Sequence, residues 1–447
     1  MKNTRHNITG KVVACLLGFL IILHAGCAHN NDFNNHSVKG RPRARVGRYA
    51  TPTVGTVFAD TEDLGVHGYY SSWSEKIGIA YTCKAGHIDL AHVRKSADWT
   101  AYLAANILEE LKKNETRFSF KFKEPARYHV QLTYPDWWKD LPEEEKDRIT
   151  RDISIGLGQY FTYVGCTWHE ILTWFGYRSV GLYPEFPSAF SWEDSFSDLL
   201  GTHIAAKALR DTEHEYDEAM TLALKRELDD LGIQPRDVAV RASNMVRGLW
   251  FSGDFLFLVD MKGRNFDIGL DDGFVTPWLV PSRAKTQGSV APRGTGVRGL
   301  PECEGAQPQS YPAPSLDFLS EYGFSAKFEL EPKELERHKI LSIVYPDRKE
   351  RRKRIEPAAH FPAIMANITQ EAVEKHGFYI GPEHAVSPAV SQKPSLVRPS
   401  GVSAGTPARG KSIIDDVNND GVIDLRDMAI IMETWLAKHR PAGEDTK

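Results

Sequence analysis

Two stretches without any hydropathic period, residues 282–314 and 383–411, limit where a packed core can form in this chain of 447 residues. Both are rich in Gly, Pro and small polar side chains, a composition that supplies turns rather than faces to bury. The first reads as an irregular insertion or linker within a domain of residues 42–381. The second lies in a spacer, residues 382–411, ahead of a small module at 412–438. The whole chain is 41% hydrophobic and 11% aromatic, enough for one large core outside these stretches. Its 55 basic and 59 acidic residues leave a net charge of -4, so no global electrostatic attraction to nucleic acid is expected.

Between the breaks the period alternates between helical and extended. Asp98–Lys113 has apolar residues at 99, 102, 103, 107, 108 and 111, the stripe of an amphipathic helix. Arg127–Tyr134 alternates like a strand and is stopped by Pro135. Pro142 followed by Glu143–Glu145 is a helix start, because proline tolerates the first turn and acids complement its unpaired N–H groups. That helix is predicted to run to Phe175, with a break at Gly156 or Gly165. Further helices are predicted over Trp192–Leu209, Glu215–Leu231 and Ile364–His376, and a strand over Phe324–Leu330. Leu249–Val280 carries aromatic and β-branched runs separated by Lys262-Gly263 and Asp272-Gly273, which predicts hairpins. The expected class is α+β: a helix-rich domain with an antiparallel hairpin region, plus a small C-terminal calcium-loop and helix module.

The N-terminus predicts export. Lys2, Arg5 and Lys11 precede a 12-residue apolar run, Val12–Leu23. As a helix this run rises only ~18 Å, against a hydrocarbon core of ~30 Å, so it suits a signal h-region better than a membrane span. Leu23-His24-Ala25-Gly26-Cys27 resembles a bacterial lipobox, with His24 where leucine is usual. The resemblance implies a signal peptide of residues 1–26, lipidation of Cys27, a polar tether over 27–41 and attachment to a bacterial envelope membrane. Ordinary cleavage and free secretion are the alternative. Export makes disulfides permissible; of the cysteines left after Cys15 and Cys27, Cys83 and Cys166 are either paired or two buried free thiols.

The most specific spacing lies near the C-terminus. Asp416, Asn418, Asp420, Asp424 and Asp427 occupy positions 1, 3, 5, 9 and 12 of a loop with Gly421 at position 6, and Val422 offers its carbonyl. Ca²⁺ takes six to eight oxygen ligands, and this spacing wraps one ion. Leu425, Met428, Met432, Trp435 and Leu436 then form a single apolar stripe. Residues 413–436 closely resemble one dockerin repeat, which implies calcium as a cofactor and a cohesin-like or polysaccharide partner. A complete dockerin has two repeats, and one is present.

In the large domain, Tyr81–Arg94, Trp168–Gly176, Ser188–Gly201 and Phe266–Gly273 together resemble the uncharacterised bacterial lipoprotein family known as domain of unknown function 4056, over about residues 46–380. The resemblance implies no activity. His169-Glu170 begins like a zinc-protease motif, but Thr173 stands where the second histidine belongs. The residues themselves nominate a polar cluster, with Asp89 and His92 one turn apart, His169 and Glu170 on a second helix and Glu193, Asp194 and Asp198 on a third, of which Asp89, His92, Glu170 and Glu193 are expected to converge. Carboxylates and an imidazole from three helices suit a divalent transition metal and activated water, hence a metal-assisted hydrolase of envelope or extracellular polymers. The competing expectations are a non-catalytic surface binding or structural module, with Glu170 a buried acid paired to Arg94 or Arg178, and Glu193 and Asp194 first-turn acids behind Ser191. Cys83 with His92 or His169 is a formal thiol–imidazole pair.

Overall fold

The computed structural model describes residues 32–33, 36–38, 40–53, 56–179, 183–253, 259–280, 300–349 and 351–381. The chain divides into two units, residues 1–386 and 387–447. The apolar run, Cys27 and the loop from Asp416 to Asp427 all lie outside the described residues.

The first unit is α+β, as expected. A hairpin of β1 (Ile79–Thr82) and β2 (Gly86–Asp89) leads directly into α1 (Leu90–Lys112). That helix begins eight residues before the periodic stripe does. Its first turns are buried on nearly every side, so they show no amphipathic contrast. Next come β3 (Arg117–Lys121) and β4 (Arg127–Thr133), then α2 (Glu143–Trp174), α3 (Asp194–Arg210), α4 (Tyr216–Asp230) and α5 (Arg236–Met245). The predicted break in α2 does not occur. Gly156 and Gly165 instead lie against the rings of Phe318 and Phe122, where a larger residue would collide. Late in the chain, β5 (Ser325–Glu331) pairs antiparallel with β4, giving a three-stranded sheet in the order β5-β4-β3, with Phe328 and Phe118 both opposite Val130. Helices α6 (Arg337–Val344) and α7 (Pro357–Glu371) follow.

Two cores flank α1. Its Leu103, Ile107 and Leu111 join Leu157, Phe161 and Val164 of α2 and the inward-facing Tyr128, Val130 and Phe328 of the sheet. Its Val93, Ala97, Ala101 and Ala104 join Leu199, Leu200 and Ile204 of α3 and Met220 and Leu224 of α4. The α1–α3 crossing is close because Gly201 of α3 sits against the Val93 carbonyl; any Cβ there would overlap backbone that has nowhere to move. That approach puts the start of α3 beside the start of α1.

Two expectations fail here. Neither predicted hairpin turn between 249 and 280 joins adjacent strands. Phe251–Ser252 pairs with Asp260–Met261, and Phe274–Val275 pairs with the distant Tyr311–Pro312. Asp267 accepts the N–H groups of Gly269 (3.0 Å) and Thr276 (2.7 Å), so its side chain folds the loop that the turn residues alone would have made a hairpin. The cysteine pairing also differs: Cys83 is bonded to Cys303, 220 residues away, while Cys166 is a buried free thiol in α2. Cys83 therefore has no thiol to pair with either histidine, and burial lifts the Cys166 thiol to about 12, which leaves it inert near neutral pH.

Candidate active site at the joined helix starts

Asp89 ends β2 and caps α1, and its fully buried carboxylate is shared three ways. Oδ1 accepts the Ala91 N–H at 2.7 Å, as an N-cap must. Oδ2 accepts the Arg48 N–H at 2.8 Å and lies 2.7 Å from Nδ1 of His92, one helical turn on. The same Nδ1 is 3.5 Å from Oδ1 of Asp194, the first residue of α3. Gly47 covers the pair; a Cβ on it would overlap Cε1 of the imidazole, so only glycine lets this extended segment lie so close.

These contacts set the proton affinities. Burial alone would depress His92, and Lys95 works in the same direction. Asp89, Asp194 and Asp198 outweigh both and raise it to about 9. Burial raises Asp194 to about 7; His92 opposes this, while Glu170 and Asp198 add to it. Asp198, one turn further along α3, behaves oppositely. Burial would raise it, but Lys95 at 3.8 Å, His92, Lys123 and the hydroxyl of Ser96 hold it below its ordinary value. The site is open to water in part: 15% of the His92 side chain is exposed. Lys123 is exposed too, although protein bulk surrounds it closely enough to disfavour its charge; Glu124, Asp198 and Glu170 override that and raise it.

Glu193 is the N-cap residue of α3, a position the sequence suggested for Ser191. Its Oε1 accepts the Ala50 N–H at 3.1 Å, and its Oε2 is buried without a hydrogen-bond partner. Burial, then Asp194 and Asp89, push this carboxyl well above its ordinary value. The sign follows. A raised carboxyl stabilises the fold below the unfolded value of 4.5, and that contribution is lost as pH climbs toward the folded value. Glu193→Gln keeps the acceptor for Ala50 and removes the ionisation. It is expected to stabilise the protein by about 1–3 kcal/mol at alkaline pH, and by little near pH ~4. Denaturant titrations at the two extremes check this; an equal effect at both would refute it.

Glu170 in α2 accepts the Phe190 N–H at 2.7 Å and stands within electrostatic reach of Asp194 and Arg264. The pairing with Arg94 does not occur. The Arg94 guanidinium donates to the Leu64 carbonyl at 2.7 Å and lies 3.7 Å from Glu75, inside a separate buried network. In that network Arg45, His67 and Tyr216 all reach Asp98 of α1. His169 projects elsewhere, with Nδ1 2.8 Å from Oε1 of Glu124 and Nε2 3.5 Å from Oε2 of Glu185.

Thus Asp89 and His92 are in direct contact, Glu193 is tied to them through the segment Arg48–Ala50, and Glu170 approaches from the side of Asp194. The sequence already grouped Asp194 and Asp198 with Glu193 on the third helix of the cluster, but it gave Lys95, Lys123 and Gly47 no role, and no local spacing singles those three out. Among the described residues, no group of three or more His, Cys, Asp or Glu side chains is placed to hold a metal ion.

Residues 53–256 match the model of a family described as a protein of unknown function (DUF4056). The match is shorter than the span of the sequence resemblance and contains every side chain of the cluster. No curated protein and no solved structure matches the chain.

Proposed function

We propose that this chain is an exported envelope protein whose main domain hydrolyses envelope or extracellular polymers through proton transfer at His92. The observation that carries the reading is the contact of His92 Nδ1 with Asp89, at 2.7 Å, and with Asp194, at 3.5 Å, on an imidazole that is partly open to water. Nδ1 is committed to the two carboxylates, so Nε2 is the ring atom left to exchange a proton with a substrate. Between about pH 7 and 9, Asp194 is ionised and His92 is charged. The Asp194 carboxylate takes a proton from water as its oxygen attacks, and the imidazolium gives a proton to the leaving group. Asp194 then releases its proton to solvent and Nε2 of His92 takes one up, which resets the pair, and the net change is the addition of one water. Lys95 and Lys123, which both stand near Asp198, offer positive charge to an oxyanion formed at the site. The class of bond, peptide, ester or glycan, is left to the assay.

Two further parts of the reading rest on sequence. Lipidation of Cys27 holds the protein to the envelope membrane, and the Cys83–Cys303 disulfide supports an oxidising destination. Among the described residues no helix is long and apolar enough to cross a membrane. The tail binds one Ca²⁺ through Asp416, Asn418, Asp420, Val422, Asp424 and Asp427 and docks to a cohesin-like or polysaccharide partner.

The test incubates the purified chain with peptidoglycan, envelope polysaccharide and ester substrates, with and without a transition-metal chelator, and scores new amines, reducing ends and acids. Chelator-resistant release supports proton transfer alone; chelator-sensitive release restored by one metal would place a metal at Glu170 and His92 instead. No release from any polymer would favour the binding-module reading. For the tail, calorimetry on the full chain should show one calcium site that Asp416→Ala and Asp420→Ala both remove. In cells, Cys27→Ser should move the protein from membranes to the soluble fraction.

A further inference from the structure

The chain enters its fold through a segment without acids. From Phe33 to Ala59 there is no Asp or Glu, while Lys39, Arg41, Arg43, Arg45 and Arg48 are present. The first part of this segment, from Gly40 to Arg45, is bonded to the loop of residues 66–76. The Gly40 carbonyl accepts from the Tyr69 hydroxyl at 2.7 Å, and Arg43 and Arg45 both donate to the Gly68 carbonyl at 3.0 Å. The loop is rigidly built: His67 and Tyr69 donate their N–H groups to Thr221 and Asp217 of α4, and Ser72 ties Val66 to Glu75. On it the Trp73 side chain is fully exposed, with Val66 and Tyr70 about half exposed and Val46 of the adjoining segment largely so. A braced loop that displays an uncovered indole contributes nothing to the core with it, and a tryptophan suits the boundary between headgroups and acyl chains.

We infer that the loop of residues 66–76, with Trp73 at its tip, is a membrane-interface contact that seats this face of the domain on an anionic phospholipid surface. The inference rests on the lipidation reading. Cys27 precedes Gly40 by 13 residues, which fully extended reach at most about 45 Å, so a lipid on Cys27 holds the Gly40 entry point near the bilayer. The basic segment beside the loop complements acidic headgroups, with Arg41 exposed. Arg43 and Arg45 are instead engaged by Glu75, and Lys76 lies 3.4 Å from Asp63, so the attraction is modest and the indole supplies the specificity. Lipid and loop act together: the acyl chains hold the protein, and the aromatic contact selects which face turns inward.

The test uses the full mature chain carrying Cys27→Ser, so that binding is read without acylation, in flotation with vesicles of equal parts phosphatidylethanolamine and phosphatidylglycerol. The expected result is measurable partitioning that falls about tenfold in Trp73→Ser and is unchanged in Leu335→Ser, an exposed apolar residue outside the loop. Brominated lipid should quench a fraction of the tryptophan emission that Trp73→Ser removes. Equal partitioning of Trp73→Ser and the parent, or none by either, would overturn the inference. So would a concentration-dependent dimer, or binding to insoluble polysaccharide, that Trp73→Ser abolishes. Mass spectrometry of membrane-extracted protein showing an unmodified Cys27 would sink the lipidation reading alone and leave the vesicle result to stand by itself.

Discussion

His92→Gln is expected to lower turnover of the susceptible polymer by about 10²–10⁴-fold, the range typical of losing a positioned acid–base group. Glutamine keeps a hydrogen-bonding side chain beside Asp89 and Asp194 but transfers no proton at neutral pH. Binding of the polymer should change far less than turnover. The pH profile separates this from a merely structural role. The wild-type rate should rise as the Asp194 carboxyl ionises near 7 and fall as His92 loses its proton near 9, with both limbs belonging to the coupled pair. Asp194→Asn should remove the rising limb. A His92→Gln protein that unfolds normally and retains full turnover would end the proposal.

Loss of the Cys83–Cys303 disulfide should cost about 2–5 kcal/mol of stability. The bridge closes a loop of 220 residues, and long loops give up the most chain entropy in the unfolded state. Unfolding midpoints with and without reductant, and of the Cys83→Ser/Cys303→Ser double variant, measure the effect. Alkylation of the unreduced, unfolded mature chain, without residues 1–26 and bearing Cys27→Ser, should label Cys166 alone. Label on Cys303, or a cross-linked peptide joining Cys83 to Cys166, would refute the pairing.

Both predictions use contacts that were only half visible in the sequence. Asp89 and His92 stand three residues apart, so a helix through both puts them on one face, and local spacing was enough to nominate them. Asp194 comes to the same imidazole from more than a hundred residues away. It arrives because Gly201 lets α3 lie on α1 at the Val93 carbonyl, and a glycine read in isolation does not say which backbone it is sparing. Gly47 is the same case: its small size matters only because the His92 ring lies against it.

The elements follow the same division. Strand β4 and helices α2 to α4 were legible because each carries its own period, its own punctuation, or both: alternation ended by Pro135, an acidic first turn after Pro142, stripes of 3.6 residues. The early turns of α1 were not, because burial on all sides erases the contrast that periodicity depends on. The turns predicted at Lys262-Gly263 and Asp272-Gly273 failed, although Phe251–Ser252 and Asp260–Met261 do pair antiparallel, because turn residues permit reversal without choosing a partner. Tyr311 and Pro312, far along the chain, took the place of the neighbouring strand opposite Phe274–Val275. The sequence by itself determined the class of fold, the placement of its independent helices and the identity of the Asp89–His92 pair, all properties of residues within a few turns of one another. Tertiary structure alone decided that Cys83 joins Cys303, that Glu170 bonds the Phe190 amide rather than Arg94, and that Asp194 completes the site. Each depends on which distant surfaces pack in contact, which neither local conformational preference nor spacing along the chain encodes.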